Sequence, residues 1–174
     1  VYKRQSQALI QGVASKLKEE GYKIGGFEAY VTSDVLNGAG MSSSAAFEVL
    51  IGNILSGLYN DMKIDPVFLA QAGQYAENVY FGKPCGLMDQ MASSIGGLIN
   101  IDFEDPQSPK IKKVEVDFEE YGHSLCIVDT KGSHADLTDD YAAIPYEMKK
   151  VANYFNQEAL REVDKDDFYL NLPK

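Results

Sequence analysis

Hydrophobic residues recur at helical spacing over Gln7–Glu20, where Leu9, Ile10, Val13 and Leu17 share one face and Gly21 supplies the stop. Phe27, Ala29 and Val31 alternate with polar neighbours between Gly26 and Ser33, the period of a strand. A glycine-punctuated loop, Leu36 to Met41, runs into Ser42, Ser43 and Ser44, which open a helix. In that helix Phe47, Leu50, Ile51, Ile54, Leu55 and Leu58 step by three and four, a wide stripe expected to face a core. Asp65-Pro66 reads as an N-cap followed by proline at the first helical position. The helix it opens places Leu69, Ala72, Ala76, Val79 and Tyr80 on one face and ends near Gly82.

Further along, Cys85 to Ser94 reads as a loop entering a helix that Gly96-Gly97 closes. Strands are predicted over Leu98–Phe103, Lys112–Asp117 and Leu125–Asp129, with a turn from Asp105 to Pro109. A last helix is predicted from Tyr141 to Phe155, with Met148, Val151, Ala152 and Phe155 on its buried side. Helices and strands are grouped rather than strictly alternating, which indicates the α+β class. No repeats or low-complexity tracts occur.

The 174 residues suffice for one domain or for pieces of two, and 45% hydrophobic with 24% charged is an ordinary globular composition. A formal charge of -10 argues against nucleic acid held on a basic surface. No apolar run is long enough to span a bilayer and no signal peptide is visible, so a soluble, cytoplasmic protein is expected. Cys85 and Cys126 are too few for a disulfide framework, and two histidines cannot build a His-rich metal site. The first residue is Val1 and the last Lys174, and both ends read as cut, so a fragment of a longer protein is expected.

Chemistry concentrates in three stretches. Gly38-Ala39-Gly40-Met41-Ser42-Ser43-Ser44 combines close backbone approach with hydroxyls at a helix start, where unpaired N–H groups and the helix dipole favour an anion. One of its serines can ligate Mg²⁺. It is not a Walker loop, because no Gly-Lys-Ser/Thr follows. The structural alternative is a serine-capped helix after a glycine turn. In the second stretch Glu77, at the edge of its helix's apolar face and four residues after Gly73, is either a Mg²⁺ ligand or a solvated helix-edge glutamate. Asp89, between Leu87, Met88 and Met91, is either a partly buried general base or a capping or salt-bridged aspartate. The third stretch, Asp129 to His134 and on to Asp139-Asp140-Tyr141, reads as a strand end, a polar loop and a helix start. His134 there is as readily a structural hydrogen-bonder as a catalyst, and the acidic run reads as decoration of a helix N-terminus.

In order and spacing the three resemble the galactokinase branch of the GHMP small-molecule kinases. The family pattern is Pro-x-Gly-x-Gly-Leu-Ser-Ser-Ser-Ala, a Glu before Pro-Cys-Gly-Ile-Met-Asp-Gln, and an Asp-Thr-x-x-x-His-like strand and loop leading to a Tyr. Gly38–Ala45, Glu77, Pro84–Gln90, Asp129–His134 and Tyr141 match it here, and the likeness runs from about Phe27 to Asn156. The resemblance implies that Gly38, Gly40, Ser42, Ser43 and Ser44 wrap the phosphates of ATP and that Ser44 and Glu77 hold Mg²⁺. It implies that Asp89 is the base at the C1 hydroxyl of galactose, and that Gly86 and Tyr141 contact the sugar. It also implies a two-domain GHMP kinase fold, ribosomal S5 domain 2-like then ferredoxin-like, with the site in the cleft. Residues 1–119 would be the latter part of the N-terminal domain and 120–174 the beginning of the C-terminal one.

Leu36 stands where the family has Pro, while Met41 and Leu87 replace Leu and Ile conservatively. The family's N-terminal galactose-reading segment, with its arginine beside the catalytic aspartate, and its C-terminal glycine-rich loop are not in this sequence. Little or no kinase activity is therefore expected from these residues alone, and a sheet cut near Glu119 would leave exposed edges. The partners implied are galactose and ATP, acting on a monomer. The rival readings are a kinase for another sugar (N-acetylgalactosamine, galacturonate or arabinose) and a non-catalytic galactose sensor; intact Ser42, Ser43 and Ser44 weigh against the sensor.

Overall fold

A computed structural model describes residues 2–34, 40–128 and 138–172. The elements are α1 (Tyr2–Glu19), α2 (Ser43–Tyr59), α3 (Pro66–Tyr75), a π-helical turn (Ala76–Phe81), α4 (Met88–Ile95), β1 (Ile99–Asp102), β2 (Lys110–Lys113), α5 (Thr138–Tyr154) and α6 (Lys165–Leu170). Short 3₁₀ turns occupy Glu119–Tyr121 and Leu160–Glu162. The chain divides into two compact units, Val1–Ser133 and His134–Lys174.

In the first unit α1 packs on α3, the π turn and α2, while α4 packs on α3 and α2. The predicted stripe of α1 is its buried face: Leu9, Val13 and Leu17 join Ile51, Leu55, Ile64, Leu69 and Ala76 in one core cluster. Each Leu, Ile or Val side chain among them contributes about 1.5–3 kcal/mol by leaving water. Gly21, at φ +85, closes α1 with the paired bonds Tyr22 N–H to Leu17 O and Gly21 N–H to Lys18 O, both 3.0 Å, a Schellman end. Asp65 caps α3 as predicted, its carboxylate accepting from Val67 N at 2.7 Å and Phe68 N at 3.3 Å. A second cluster of Ala70, Leu87 and Met91 is covered by the antiparallel β1–β2 pair, in which Ile101 faces Ile111 across the ladder.

Several expectations are corrected. Residues 26–33 form no strand; among the described residues nothing pairs with them in a ladder, and a strand exists only through its ladder. Side chains at the end of α2 fix the entry to that segment. Tyr59 donates to the Gly26 carbonyl, and Asn60 pairs with both backbone groups of Lys23. Residues 125–128 likewise form no strand, and the strand expected over Lys112–Asp117 is the shorter, earlier β2. Val79 and Tyr80 are exposed rather than buried, because the π turn carries an extra residue per turn and breaks the 3.6 period on which they were placed. Leu50 and Leu58 lie on the outer margin of the wide α2 stripe and are exposed too.

In the second unit α5 starts earlier than predicted and runs through Pro145. Ala152 is its fully buried residue and Phe155 is half-buried, whereas Met148 and Val151 are exposed. The unit is held by aromatic contacts: Phe155 stands edge-on to Tyr154 at 5.0 Å between centroids and packs on Phe168 at 6.1 Å. No helix among the described residues is long and apolar enough to cross a membrane.

Gly12 is where α1 meets the π turn: a Cβ there would lie 2.6 Å from both Cα and Cβ of Ala76. Helix propensity alone makes Gly12→Ala stabilising by about 1 kcal/mol, but overpacking against backbone costs about 1–3 kcal/mol. The expected outcome is a lowered urea midpoint for Gly12→Ala; a raised midpoint would mean that α1 does not approach the π turn this closely.

Candidate functional site

The site is assembled at the start of α2 from three elements of the first unit. Ser42, the residue before the helix, sits at φ 52, ψ 46 in the left-handed region, a conformation costing a serine about 1–3 kcal/mol. Its hydroxyl makes no cap bond to α2 and donates instead to Asp89 Oδ2 at 2.5 Å, a charge-assisted bond. The serine-cap alternative therefore does not describe this side chain. With no side-chain cap and no acidic residue in its own first turn, α2 does not offset the positive end of its dipole itself; the carboxylates of Asp89 and Glu77 stand there instead, through Ser42 and Ser44.

The second element is the π turn. It follows α3 without a break and ends at Gly82, φ +79. Glu77 in this turn is buried at 2% exposure, not the solvated helix-edge residue that periodicity allowed. Ser44 Oγ lies 3.3 Å from Glu77 Oε1 and 3.5 Å from Oε2, and Lys83 Nζ lies 3.5 Å from Oε1. The room attributed to Gly73 beside Glu77 serves other side chains. A Cβ there would sit 3.1 Å from Glu48 Cβ and Oε2 and 3.2 Å from Gln90 Cγ.

The third element is α4. Its inward face is Leu87, Gln90 and Met91, at i, i+3 and i+4, which turns Asp89 outward. Asp89 is thus exposed rather than partly buried, and Met88 beside it is exposed as well. Gln90 Nε2 donates to Glu48 Oε2 at 3.0 Å and to Glu77 Oε2 at 3.3 Å, and lies 3.6 Å from Cys85 Sγ. Burial, with the Glu77 charge beside it, pushes the Glu48 carboxyl up to about 8. Burial and Glu77 also push the Cys85 thiol up to about 12, so it stays a thiol and is a poor nucleophile.

Of the residues picked from sequence, the structure brings together two pairs: Ser42 with Asp89, and Ser44 with Glu77. Gly40 is in the turn that enters them, at φ 71, and Ser43 begins α2. Gly86 is exposed, and a Cβ there would meet nothing within 4 Å. Tyr141 belongs to the other unit and is exposed. Gly38 and the stretch Asp129 to His134 lie outside the described residues. Sequence reasoning missed Glu48 and the ion pair of Lys83. The signal for Glu48 was present: it is the sole charged residue of α2, one turn after Ser44 and flanked by buried Ala45 and Val49.

Mg²⁺ takes one or two carboxylates together with substrate phosphate oxygens rather than an all-protein cage. The donors present fit that habit. Ser44 and Glu77 are hard oxygen donors in contact, and Glu77 is a buried carboxylate with a cation 3.5 Å away. Among the described residues no cluster of three or more His, Cys, Asp or Glu is arranged as a complete metal cage.

The raised Glu48 carboxyl links stability to pH. Its proton is held up to about 8 in the folded chain but only to its ordinary value of 4.5 once unfolded. The stability it contributes is therefore complete below 4.5 and is lost as pH rises towards 8. Thermal melts should show a midpoint falling over that window, and Glu48→Gln, which keeps a neutral side chain of the same shape, should flatten the fall. An undiminished slope in the variant would assign the proton to another group.

The profile described as GHMP kinases N terminal domain matches residues 8–97, just over half of the chain. The chain is 46% identical over 99 residues to a galactokinase of Pyrococcus furiosus, covering 57% of this chain and 28% of that protein. It is 34% identical over 160 residues to a galactokinase of Streptomyces coelicolor, covering 92% of this chain and 41% of that protein. A galactokinase of Clostridium tetani is 32% identical over 149 residues, 85% of this chain and 37% of its own. The chain thus spans less than half the length of these relatives. In fold it is similar to the crystal structure of Lactococcus lactis galactokinase complexed with galactose, with a TM-score of 0.68, 24% identity and coverage of 94% of this chain and 42% of that one. A family match over residues 8–97, carrying α2 with its serines, the π-turn glutamate and α4, makes this chain a member of the GHMP kinases.

Proposed function

We propose that this chain is the phosphate- and metal-binding part of a galactokinase, which transfers the γ-phosphoryl group of ATP to the C1 hydroxyl of D-galactose. The observation that carries the reading is the pairing of two serines at the uncapped start of one helix with two carboxylates from elsewhere, Ser42 with Asp89 and Ser44 with Glu77. The galactokinase relatives and the galactose-bound Lactococcus lactis structure support the choice of sugar.

In this proposal Gly38, Gly40 and the N–H groups of Ser42, Ser43 and Ser44 surround the phosphates of ATP, where the α2 dipole offsets their charge. Ser44 and Glu77 hold Mg²⁺, which when bound neutralises phosphate charge and orients the γ-phosphoryl group. Asp89, exposed and held by Ser42, accepts the proton of the C1 hydroxyl. The C1 oxygen forms the new bond to the γ-phosphorus as the bond to the bridging oxygen breaks, giving galactose 1-phosphate and ADP. Gly86 and Tyr141 contact the sugar. Residues 1–119 belong to the N-terminal domain and 120–174 begin the C-terminal one, in a monomeric cytoplasmic enzyme. The 174 residues alone turn over little or no galactose, because the family's arginine beside the aspartate is not among them.

The test uses the full-length protein that contains this chain, assayed for ATP-dependent phosphorylation of galactose, N-acetylgalactosamine and arabinose, with Asp89→Asn alongside. Galactose-selective turnover is expected, reduced about 10²–10⁴-fold in Asp89→Asn as for loss of a general base. Selective turnover of another sugar would reassign the substrate, and binding of galactose and ATP without turnover would make the protein a sensor. Robust galactose 1-phosphate formation by the 174-residue chain would overturn its proposed inactivity.

A further inference from the structure

We propose that Gln90 is a positioning residue for the Glu77 carboxylate, holding it through one amide nitrogen shared with Glu48, an inference that rests on the metal-binding reading of Glu77 above. Gln90 Nε2 donates to Glu77 Oε2 at 3.3 Å and to Glu48 Oε2 at 3.0 Å, so one side chain ties the π turn to α2 from a base on α4. With Oε2 engaged below, Oε1 is the oxygen nearer to both Ser44 and Lys83. Glu77 has few ways to turn, since Glu77, Glu48 and Gln90 are 2%, 0% and 1% exposed.

Gly73 is the independent second observation. A glycine inside a helix costs about 1 kcal/mol relative to alanine, yet α3 carries one where a Cβ would come within 3.1 Å of Glu48 and 3.2 Å of Gln90. The helix gives up propensity at the place where this pair is seated. Gln90 also follows Asp89 directly, so a single step of α4 fixes the amide under Glu77 and presents Asp89 to Ser42. Removing a side chain that orients a metal ligand typically weakens metal affinity about 10–100-fold, whereas removing a mere packing group lowers stability and leaves affinity alone.

Gln90→Leu removes the amide at similar volume, and Gly73→Ala crowds the pair while leaving every donor in place. Each is made in the full-length protein beside Glu77→Gln. Three quantities are read: the affinity for Mn²⁺, from the free-ion paramagnetic resonance signal with a non-hydrolysable ATP analogue present; the thermal midpoint; and the Mg²⁺ and galactose dependence of turnover. Gln90→Leu is expected to weaken Mn²⁺ about 10–100-fold and to raise the Mg²⁺ requirement in step, with the galactose KM little changed. Gly73→Ala is expected to shift both in the same direction by less, which keeps the test decisive if the leucine variant does not fold. A lowered midpoint with wild-type Mn²⁺ affinity in both variants overturns the proposal and leaves Gln90 a packing residue. Wild-type Mn²⁺ affinity in Glu77→Gln would instead show that Glu77 is no ligand, so that the metal-binding reading fails and this inference falls with it.

Discussion

Two carboxylates buried side by side set the terms for everything around them. Glu48 and Glu77 come from different elements and are almost fully withdrawn from water, a situation that is costly unless charge is removed or compensated. The structure uses three means at once. A proton is held on Glu48 well above the usual carboxylate range, an amide from Gln90 is shared between the two, and the Lys83 cation stands beside Glu77. Each needs a different segment of chain in register, so α2, the π turn and α4 are fixed to one another by polar chemistry as well as by the apolar clusters on either side.

The two serine–carboxylate pairs differ in a way that suits different tasks. Ser42–Asp89 lies in the open, at a strained residue whose hydroxyl is not spent on capping its own helix. Ser44–Glu77 is withdrawn, and Glu77 is anchored from beneath. An exposed acceptor can exchange its partner for a substrate hydroxyl at small cost, whereas a buried, tethered carboxylate keeps its place whether or not a ligand is present. The π turn makes this possible: its extra residue shifts the register so that Glu77 points inward while Val79 and Tyr80, inward by helical count, point out.

Much of the fold was legible because local rules had no competitor. The Leu9–Val13–Leu17 stripe, the Asp65-Pro66 start and the Gly21 stop each depend on residues within two turns of one another. The strand pattern of 26–33 failed for the opposite reason: alternation describes a strand, but only a partner ladder makes one, and among the described residues nothing pairs with this segment. On α5, Met148 and Val151 share a helical face with Ala152, yet only Ala152 is buried, since periodicity states which residues share a face and not how much of it is covered.

At the candidate site the division is similar. Residue types and their order, the glycine-serine run, Glu77 and the Cys-Gly-Leu-Met-Asp-Gln stretch, carried the resemblance to the GHMP kinases that the family match bears out, and hydroxyls with backbone N–H groups at a helix start are of the kind that suits phosphate. The resemblance already set Ser44 beside Glu77, but that Ser42 meets Asp89, that Asp89 faces out and Glu77 in, and that Glu48 and Gln90 pack against Glu77 were decided only by tertiary structure. Those contacts join residues 13 to 47 positions apart, and whether a carboxylate is neutral, paired or free depends on the water and charge that packing leaves around it.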